Sequence, residues 1–576
     1  LHGCRLQCPG ACSGDVYFWR HVRRNHMCRL RQAVKAALRA ADLEKNGLHA
    51  EFFEFLRVSF PEADIGLGVA GLAEAGPGSS TPATGPASLF RSNKLRRCLL
   101  GLALALPLPF PAVAAAAAPS PALAAAMEAR RQLGELAAQD HRAMMARLHL
   151  AEPADLPPLA DDPRRPPATR PVPGSAYNWT DGIPGHTIVR SSWGHWSNYD
   201  ENKADRFPLP DPLRLKNGER VRDAETWWTR RRPEILRDFE TEVYGRIPAA
   251  TPAVTWEVTQ IDPQAAGGTA VMRRIVGYID NARYPDAHPS IDLAVYTPVS
   301  ATGPVPMIVV IEGGFVWRGP ADAAAAPSAL QQVLARGWGY ATFNTSTVQA
   351  DSGGGFDGGI IGLMNRGQPR QPDAWGALAA WSWGLSRAID YFEEDPAVDA
   401  SRLGVEGHSR WGKTALLAAA LDPRWAIVYA SCSGEGGAKL HRHDIGESVD
   451  NVCGASEYHW MAGNFLKYAG RWDALPVDQH ELIALVAPRP VFVTGGTEDL
   501  WSDPVGEFKA CVAAGPVYRL LGKAGLDTAE MPAPDEELIA GDIAFRLHAG
   551  GHTDAPDWPT FLKFADRYFA APPPAR

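Results

Sequence analysis

An α/β fold, with a mostly parallel sheet sandwiched between helices, is the class the sequence predicts, and three observations carry it. From about Tyr177 to the end of the 576-residue chain, β-branched apolar runs alternate with helical patterns, the order expected of a sheet covered on both faces. Several of these runs are continuously apolar, as strands buried on both sides are. The stretch "GVEGHSRWGKTALLAAALDP", Gly404 to Pro423, sets a serine between one such run and an Ala/Leu-rich segment that reads as helix.

The first 90 residues are unlike the rest. Cys4, Cys8, Cys12 and Cys28 with His21 and His26 lack the paired C-x2-C spacing of a zinc site, so no metal is expected there. Next, "NKLRRCLLGLALALPLPFPAVAAAAAPSPALAAA" has a basic head, an apolar stretch and Ala-x-Ala cleavage options. That is the anatomy of a secretory signal peptide, and its prolines and shortness argue against a membrane-spanning helix. Residues 1–90 are therefore expected to be over-extended translation and 91–126 the signal region, with a buried Leu/Ala helix as the alternative. A secreted or periplasmic protein without membrane association after cleavage follows from this reading. Glu128–Leu150 reads as helix and Ala151–Gly174 as a Pro-rich linker, so 127–176 leads into a body at 177–576.

In the body, Ala270–Ile279, Ser290–Pro298, Val305–Phe315 and Gly337–Ser346 read as strands. The loop "DSGGGFDGGIIG" (351–362) has neither the strand–helix context of a dinucleotide site nor the lysine of a P-loop. It is expected to form active-site surface, and no cofactor is implied. Helix Trp375–Tyr391, strand Arg402–Glu406, a helix after Ser409, and strands Ala426–Gly434 and Arg489–Gly496 follow. Cys432, Cys453 and Cys511 allow one disulfide at most. A net charge of −8 with scattered arginines gives no footprint for nucleic acid. The 18 tryptophans suit either core packing or stacking on sugar rings.

Serine is an ordinary helix N-cap, but a strand, a tight turn and a helix around Ser409 also make the nucleophile elbow of α/β-hydrolases. The generic G-x-S-x-G fails here, because Trp411 occupies the last glycine position and Gly412 follows it. A serine nucleophile needs a histidine oriented by a carboxylate, and in these hydrolases the order is serine, acid, histidine. "VFVTGGTEDLWSDP" offers Glu498, Asp499 and Asp503, and "RLHAGGHTDAPDW" offers His548 and His552, the latter after two glycines in what reads as a loop before the last helix. Ser409, Asp499 and His552 are the expected triad, with Glu498 as an alternative acid and Glu435 a further one.

With these motifs the chain resembles the bacterial glucuronoyl esterases of carbohydrate esterase family 15, whose nucleophile motif is G-C-S-R-x-G-K. Here it is Gly407-His408-Ser409-Arg410-Trp411-Gly412-Lys413, which accounts for the displaced glycine. "NYDENKADRFPLPDPLRLKNGERV", "WWTRRRPEILRDFETEVYGRIP", "WSWGLSRAIDYFEEDP", "DQHELIALVAPRPVFV" and "EDLWSDPVGEF" extend the likeness over roughly two thirds of the chain. The resemblance implies cleavage of esters between 4-O-methyl-glucuronic acid of xylan and lignin-type alcohols, without metal or cofactor, by a monomer. It implies that Arg410 stabilises the oxyanion, and that Lys413, Trp501 and Glu457 bind the uronic acid. Fungal members join a cysteine before the serine to one after the histidine. Here His408 and Thr553 stand in those places. The fungal acid position falls on Cys432, which leaves Asp499 preferred. Rival readings are an acetyl xylan esterase or other carboxylesterase on the same fold, and a catalytically silent carbohydrate-binding member.

Overall fold

A backbone segment buried on both faces can satisfy its N–H and C=O groups only in a ladder, and the apolar runs of the body do so. The computed structural model describes residues 121–150, 170–171, 178–180, 183–193, 195–204, 206–313, 327–526 and 528–570, all within the unit Ala116–Arg576. The cysteine cluster, the expected over-extension 1–90 and signal residues 91–120 lie outside the described residues, as does the expected linker apart from 170–171. Arg170–Pro171, Asn178–Thr180 and Thr187–Val189 form a small antiparallel sheet, so β-pairing begins before residue 177.

The main sheet has ten strands among the described residues. They are β1 (Val254–Gln264), β2 (Ala270–Ile279), β3 (Ser290–Pro298), β4 (Val305–Glu312), β5 (Gly339–Asn344), β6 (Val398–His408), β7 (Ile427–Ser431), β8 (Val491–Gly496), β9 (Glu537–Leu538) and β10 (Ile543–His548). Their order is β9-β10-β8-β7-β6-β4-β5-β3-β2-β1. The central run from β10 to β5 is parallel, with antiparallel additions at both edges. The expected α/β-hydrolase sheet is therefore present. β1 escaped the sequence reading because it is an edge strand whose largely exposed "VTWEVTQ" lacks a buried face. β10, also absent from the sequence reading, is fully buried and ends at His548, four residues before His552.

Helices cover the two faces. On one side pack α3 (Ala377–Glu394), α4 (Arg410–Leu421), α5 (Gln479–Val486) and α6 (Pro504–Leu520). On the other, α2 (Ala329–Ala335) and α7 (Trp558–Phe569) close over Ile308, Ile427, Tyr429 and Phe492. Local chemistry sets the boundaries: Asp478 and Glu481 form a capping box on α5, and Pro504 takes the first turn of α6. The helix expected over 128–150 is α1 (Pro121–Arg147); it starts inside the segment assigned to the signal region. α1 docks on the body through His141 Nε2 to the Cys453 carbonyl (2.9 Å) and Arg147 donating to the Arg370 carbonyl (2.6 Å). No described helix is long and apolar enough to cross a membrane. Cys432, Cys453 and Cys511 are buried free thiols.

In a parallel sheet, ligand sites gather at the carboxyl ends of the strands. Here Ser409 follows β6, Cys432 follows β7, Asp499 follows β8 and His552 follows β10.

Candidate active site

Ser409 has φ 61° and ψ −129°, a region costing a non-glycine residue about 1–3 kcal/mol. The flanks hold it there: its N–H donates to the Ser431 carbonyl (2.9 Å), and its own carbonyl accepts from Gly412 N–H (2.8 Å). A Cβ on Gly407 would lie 2.1 Å from the Trp411 carbonyl oxygen, and one on Gly412 would lie 2.9 Å from the Gly407 carbonyl oxygen. The elbow thus requires small residues two before and three after the serine, which is why the glycine sits one place later than in G-x-S-x-G. The Ser409 side chain caps no helix N–H, so the N-cap reading of its role fails. As in any helix, the first N–H groups of α4 have no intrahelical acceptor.

Ser409 lines a cleft of about 450 Å³ with Arg410, Lys413, Glu457, Trp501 and His552, a volume suited to a small-molecule group. His552 Nδ1 is 2.7 Å from Asp499 Oδ2, with the carboxylate buried and the imidazole 41% exposed. Glu498 also lines the cleft, but it is Asp499 that pairs with the ring. Ser502 Oγ lies 3.4 Å from the same Nδ1. The His408 ring packs on His552 with centroids 4.3 Å apart, and burial together with His552 pushes its pKa down to about 3. His408 therefore adds no charge beside His552.

Glu435 is elsewhere. It is fully buried and bonded to Lys439 (2.9 Å) and to His441, which in turn meets Gln479 (2.7 Å). Burial acts to raise its pKa, but Lys439 and His441 win and bring it down to about 2. Asp503 likewise turns away, bonding His443 (2.6 Å) and capping α6. Cys432, expected to align with the fungal acid, is buried with φ 43°, and burial pushes its thiol up. Cys432, Asp499 and His552 donor atoms lie within 4.8 Å of one another, a set that a soft divalent ion could share, although Asp499 and His552 already bond each other.

The two cations are both tethered. Arg410 Nη1 binds Asp351 Oδ2 (2.6 Å), and its guanidinium stands 5.0 Å from the Trp460 ring centre. Burial acts to lower the Arg410 pKa, but Asp351 raises it overall. Asp351 comes from the loop expected to be active-site surface; it also accepts from Trp460 (2.7 Å) and bonds His459 (2.9 Å). Lys413 Nζ, buried, donates to the Glu435 carbonyl and to Glu447 Oε2, both at 2.7 Å. Burial and nearby Glu447 lift Glu457 to about 8, which favours its protonated form at neutral pH. Glu447, Trp460 and Ser502 were not foreseen. Their roles depend on partners distant in sequence, Lys413 for Glu447, Asp351 for Trp460 and His552 for Ser502, so residue type alone does not mark them.

The family model described as "Glucuronyl esterase, fungi" matches residues 284–522. Carbohydrate esterase MZ0003, from an unknown prokaryotic organism, is 35% identical over 402 residues, 64% of this chain and 92% of that protein. A CE15 glucuronoyl esterase from Teredinibacter turnerae T7901 superposes with a TM-score of 0.65 at 37% identity, covering 75% of this chain and 99% of that one. The glucuronoyl esterase from Solibacter usitatus gives 0.59 at 38% identity, covering 64% of this chain and all of that one. Likeness of this extent, with the family match running through the elbow and Asp499, shows that the chain belongs to the glucuronoyl esterases of carbohydrate esterase family 15.

Proposed function

We propose that this chain hydrolyses esters of glucuronic acid, with Ser409 as nucleophile, His552 as general base and acid, and Asp499 as the carboxylate that orients His552. The observation that carries the reading is the convergence, in one cleft, of a serine on a sterically enforced elbow and a histidine paired with a buried carboxylate. With Nδ1 committed to Asp499, Nε2 is the nitrogen left to take the serine proton. Attack on the ester carbonyl places negative charge on its oxygen, and a cation with backbone N–H groups at the start of α4 suits that charge; Arg410 and its own N–H are assigned this role. Protonated His552 gives its proton to the departing alcohol. Water, activated by the same nitrogen, then releases the acyl group. Lys413, Glu457 and Trp501 supply the donors, acceptor and ring that a sugar carrying vicinal hydroxyls needs.

The substrate assigned is the glucuronate ester of glucuronoxylan with a lignin-type alcohol, processed by an exported monomer. The name of the similar Cerrena unicolor protein, 4-O-methyl-glucuronoyl methylesterase, supports the substrate; it is 30% identical over 333 residues, and the chain spans 63% of it. The basic-headed apolar stretch at Asn93–Ala126 supports export.

Turnover of benzyl glucuronate is expected to exceed that of an acetylated sugar. Ser409→Ala is expected to abolish it while leaving the circular dichroism spectrum and melting temperature of the wild type. Preference for the acetate would favour a general acetyl esterase. Turnover that survives Ser409→Ala would remove the nucleophile assignment.

A further inference from the structure

Two histidines flank the glycine pair "HAGGH", and only His552 reaches the Asp499 carboxylate. His548, at the end of β10, is fully buried, as is its partner Asp557. Its Nδ1 lies 2.8 Å from Asp557 Oδ2, and its Nε2 lies 2.9 Å from the Gly551 carbonyl oxygen. A deprotonated carboxylate and a carbonyl can only accept hydrogen bonds. Both ring nitrogens must then donate, and only the imidazolium carries two protons.

The Gly551 carbonyl is the last main-chain anchor before His552. The two preceding residues are tied as well: Ala549 N–H donates to Asp535 (3.3 Å), Gly550 N–H to Thr497 Oγ1 (3.0 Å), and the Gly550 carbonyl accepts from Glu498 N–H (2.7 Å). These bonds stitch the loop that carries His552 to the loop that carries Asp499. Gly496 permits the close approach, since a Cβ there would lie 2.5 Å from the Gly551 carbonyl oxygen and 2.8 Å from His548 Nε2.

We infer that His548 is a positioning residue: as an imidazolium clamped between Asp557 and the Gly551 carbonyl, it fixes the loop that presents His552 to Asp499. The inference rests on the reading of His552 as the base. The charged and titratable groups facing His548 are Asp557 from the turn before α7, Arg546 on β10 itself, and His408 on β6. Arg546 also bonds Asp557 and, through its other nitrogen, Asp535 (2.8 Å). Burial and Arg546 act against the charge on His548; Asp557 and the Gly551 carbonyl outweigh them and raise its pKa. As pH climbs past that raised value, one ring nitrogen loses its proton and turns a lone pair toward an acceptor. The clamp opens on the alkaline side.

The test uses the full chain labelled with 15N-histidine, benzyl glucuronate as substrate, and the variants His548→Asn and Ser409→Ala. Both His548 nitrogens are expected to carry protons at pH 7. His548→Asn is expected to lower kcat at least tenfold with KM within about threefold, and to erase the low-field proton resonance of the His552–Asp499 pair. A neutral single-tautomer His548 at pH 7, or a variant kcat within twofold of wild type, would overturn the inference. If His548→Asn does not fold, the wild type decides. An alkaline fall in kcat that coincides with loss of the second His548 proton supports the clamp, and a kcat that persists beyond that loss overturns it. Turnover that survives Ser409→Ala sinks the proposed function instead, and leaves the His548 protonation readout intact.

Discussion

Asp499 and Glu435 are both buried carboxylates bonded to a histidine, yet their surroundings separate them. Asp499 faces a half-exposed ring in the cleft, whereas Glu435, Lys439 and His441 are a sealed cluster whose side chains have no exposure. Asp499→Asn is expected to lower kcat by orders of magnitude, about 10⁴-fold if it follows the serine-protease acid, with the melting temperature little changed. Glu435→Gln strips Lys439 of its counter-charge, and breaking a buried pair costs about 3–5 kcal/mol. A lower melting temperature with kcat within tenfold of wild type is expected. The opposite pattern, a crippled Glu435→Gln and a mild Asp499→Asn, would move the acid to Glu435.

At the scale of the element, the elbow shows how a short spacing encodes geometry. The serine's positive φ, the bond from Ser409 N–H to Ser431 and the crossing of Gly407 over Trp411 are one steric unit. Gly407→Ala must displace the first turn of α4, because its Cβ would meet backbone rather than a movable side chain. We expect a folded protein whose kcat falls more than about 100-fold, the size of effect that a small misplacement of reacting groups can bring. Wild-type kcat in Gly407→Ala would show that the elbow is more tolerant than these contacts allow. Trp411 fills the position where the generic motif has glycine, and its ring lies against Gly313 at the end of β4, where a Cβ would come within 2.8 Å of it. α1 acts at this scale too: it bonds Tyr458 through Asp140, and Tyr458 packs on Gly353 in the loop that carries Asp351.

Across the whole molecule, buried ionisable groups set the response to pH. Burial lifts Glu457, Glu481 and Glu507 to about 8, aided in Glu457 by Glu447. The unfolded chain releases these protons near pH ~4.3 while the folded chain keeps them, so stability falls as pH rises towards 8. His443 and His548 are raised, each by its aspartate against burial. Their contribution is whole below about pH 6.5 and is lost as pH rises through the folded value. His408, His459 and His480 are lowered by burial. They oppose the trend only below about pH 6.5, where the unfolded chain takes up their protons. Glu435, held near 2, contributes a constant amount in this range. The melting temperature is therefore expected to be lower at pH 8 than at pH 6.5, and Glu507→Gln is expected to reduce the difference. A protein more stable at pH 8 would contradict this.

What was legible in the sequence was local. β-branched content marked β2 and β3, whose burial is partial, and continuous apolar runs marked strands such as β4, β7 and β8, because a strand buried on both faces has no polar period to obscure it. The elbow was legible because its spacing, Gly407 to Gly412, lies within one segment. Tertiary structure decided whatever depended on which segments meet. It chose Asp499 over its neighbour Glu498, since only the end of β8 and the loop after β10 bring a carboxylate to His552. It buried Glu435 against Lys439, paired Lys413 with Glu447 and Arg410 with Asp351, and placed His548 in the sheet. Those partners lie 4 to 59 residues apart, and no pattern along a chain records which polar groups will share a desolvated space, where pairing is obligatory.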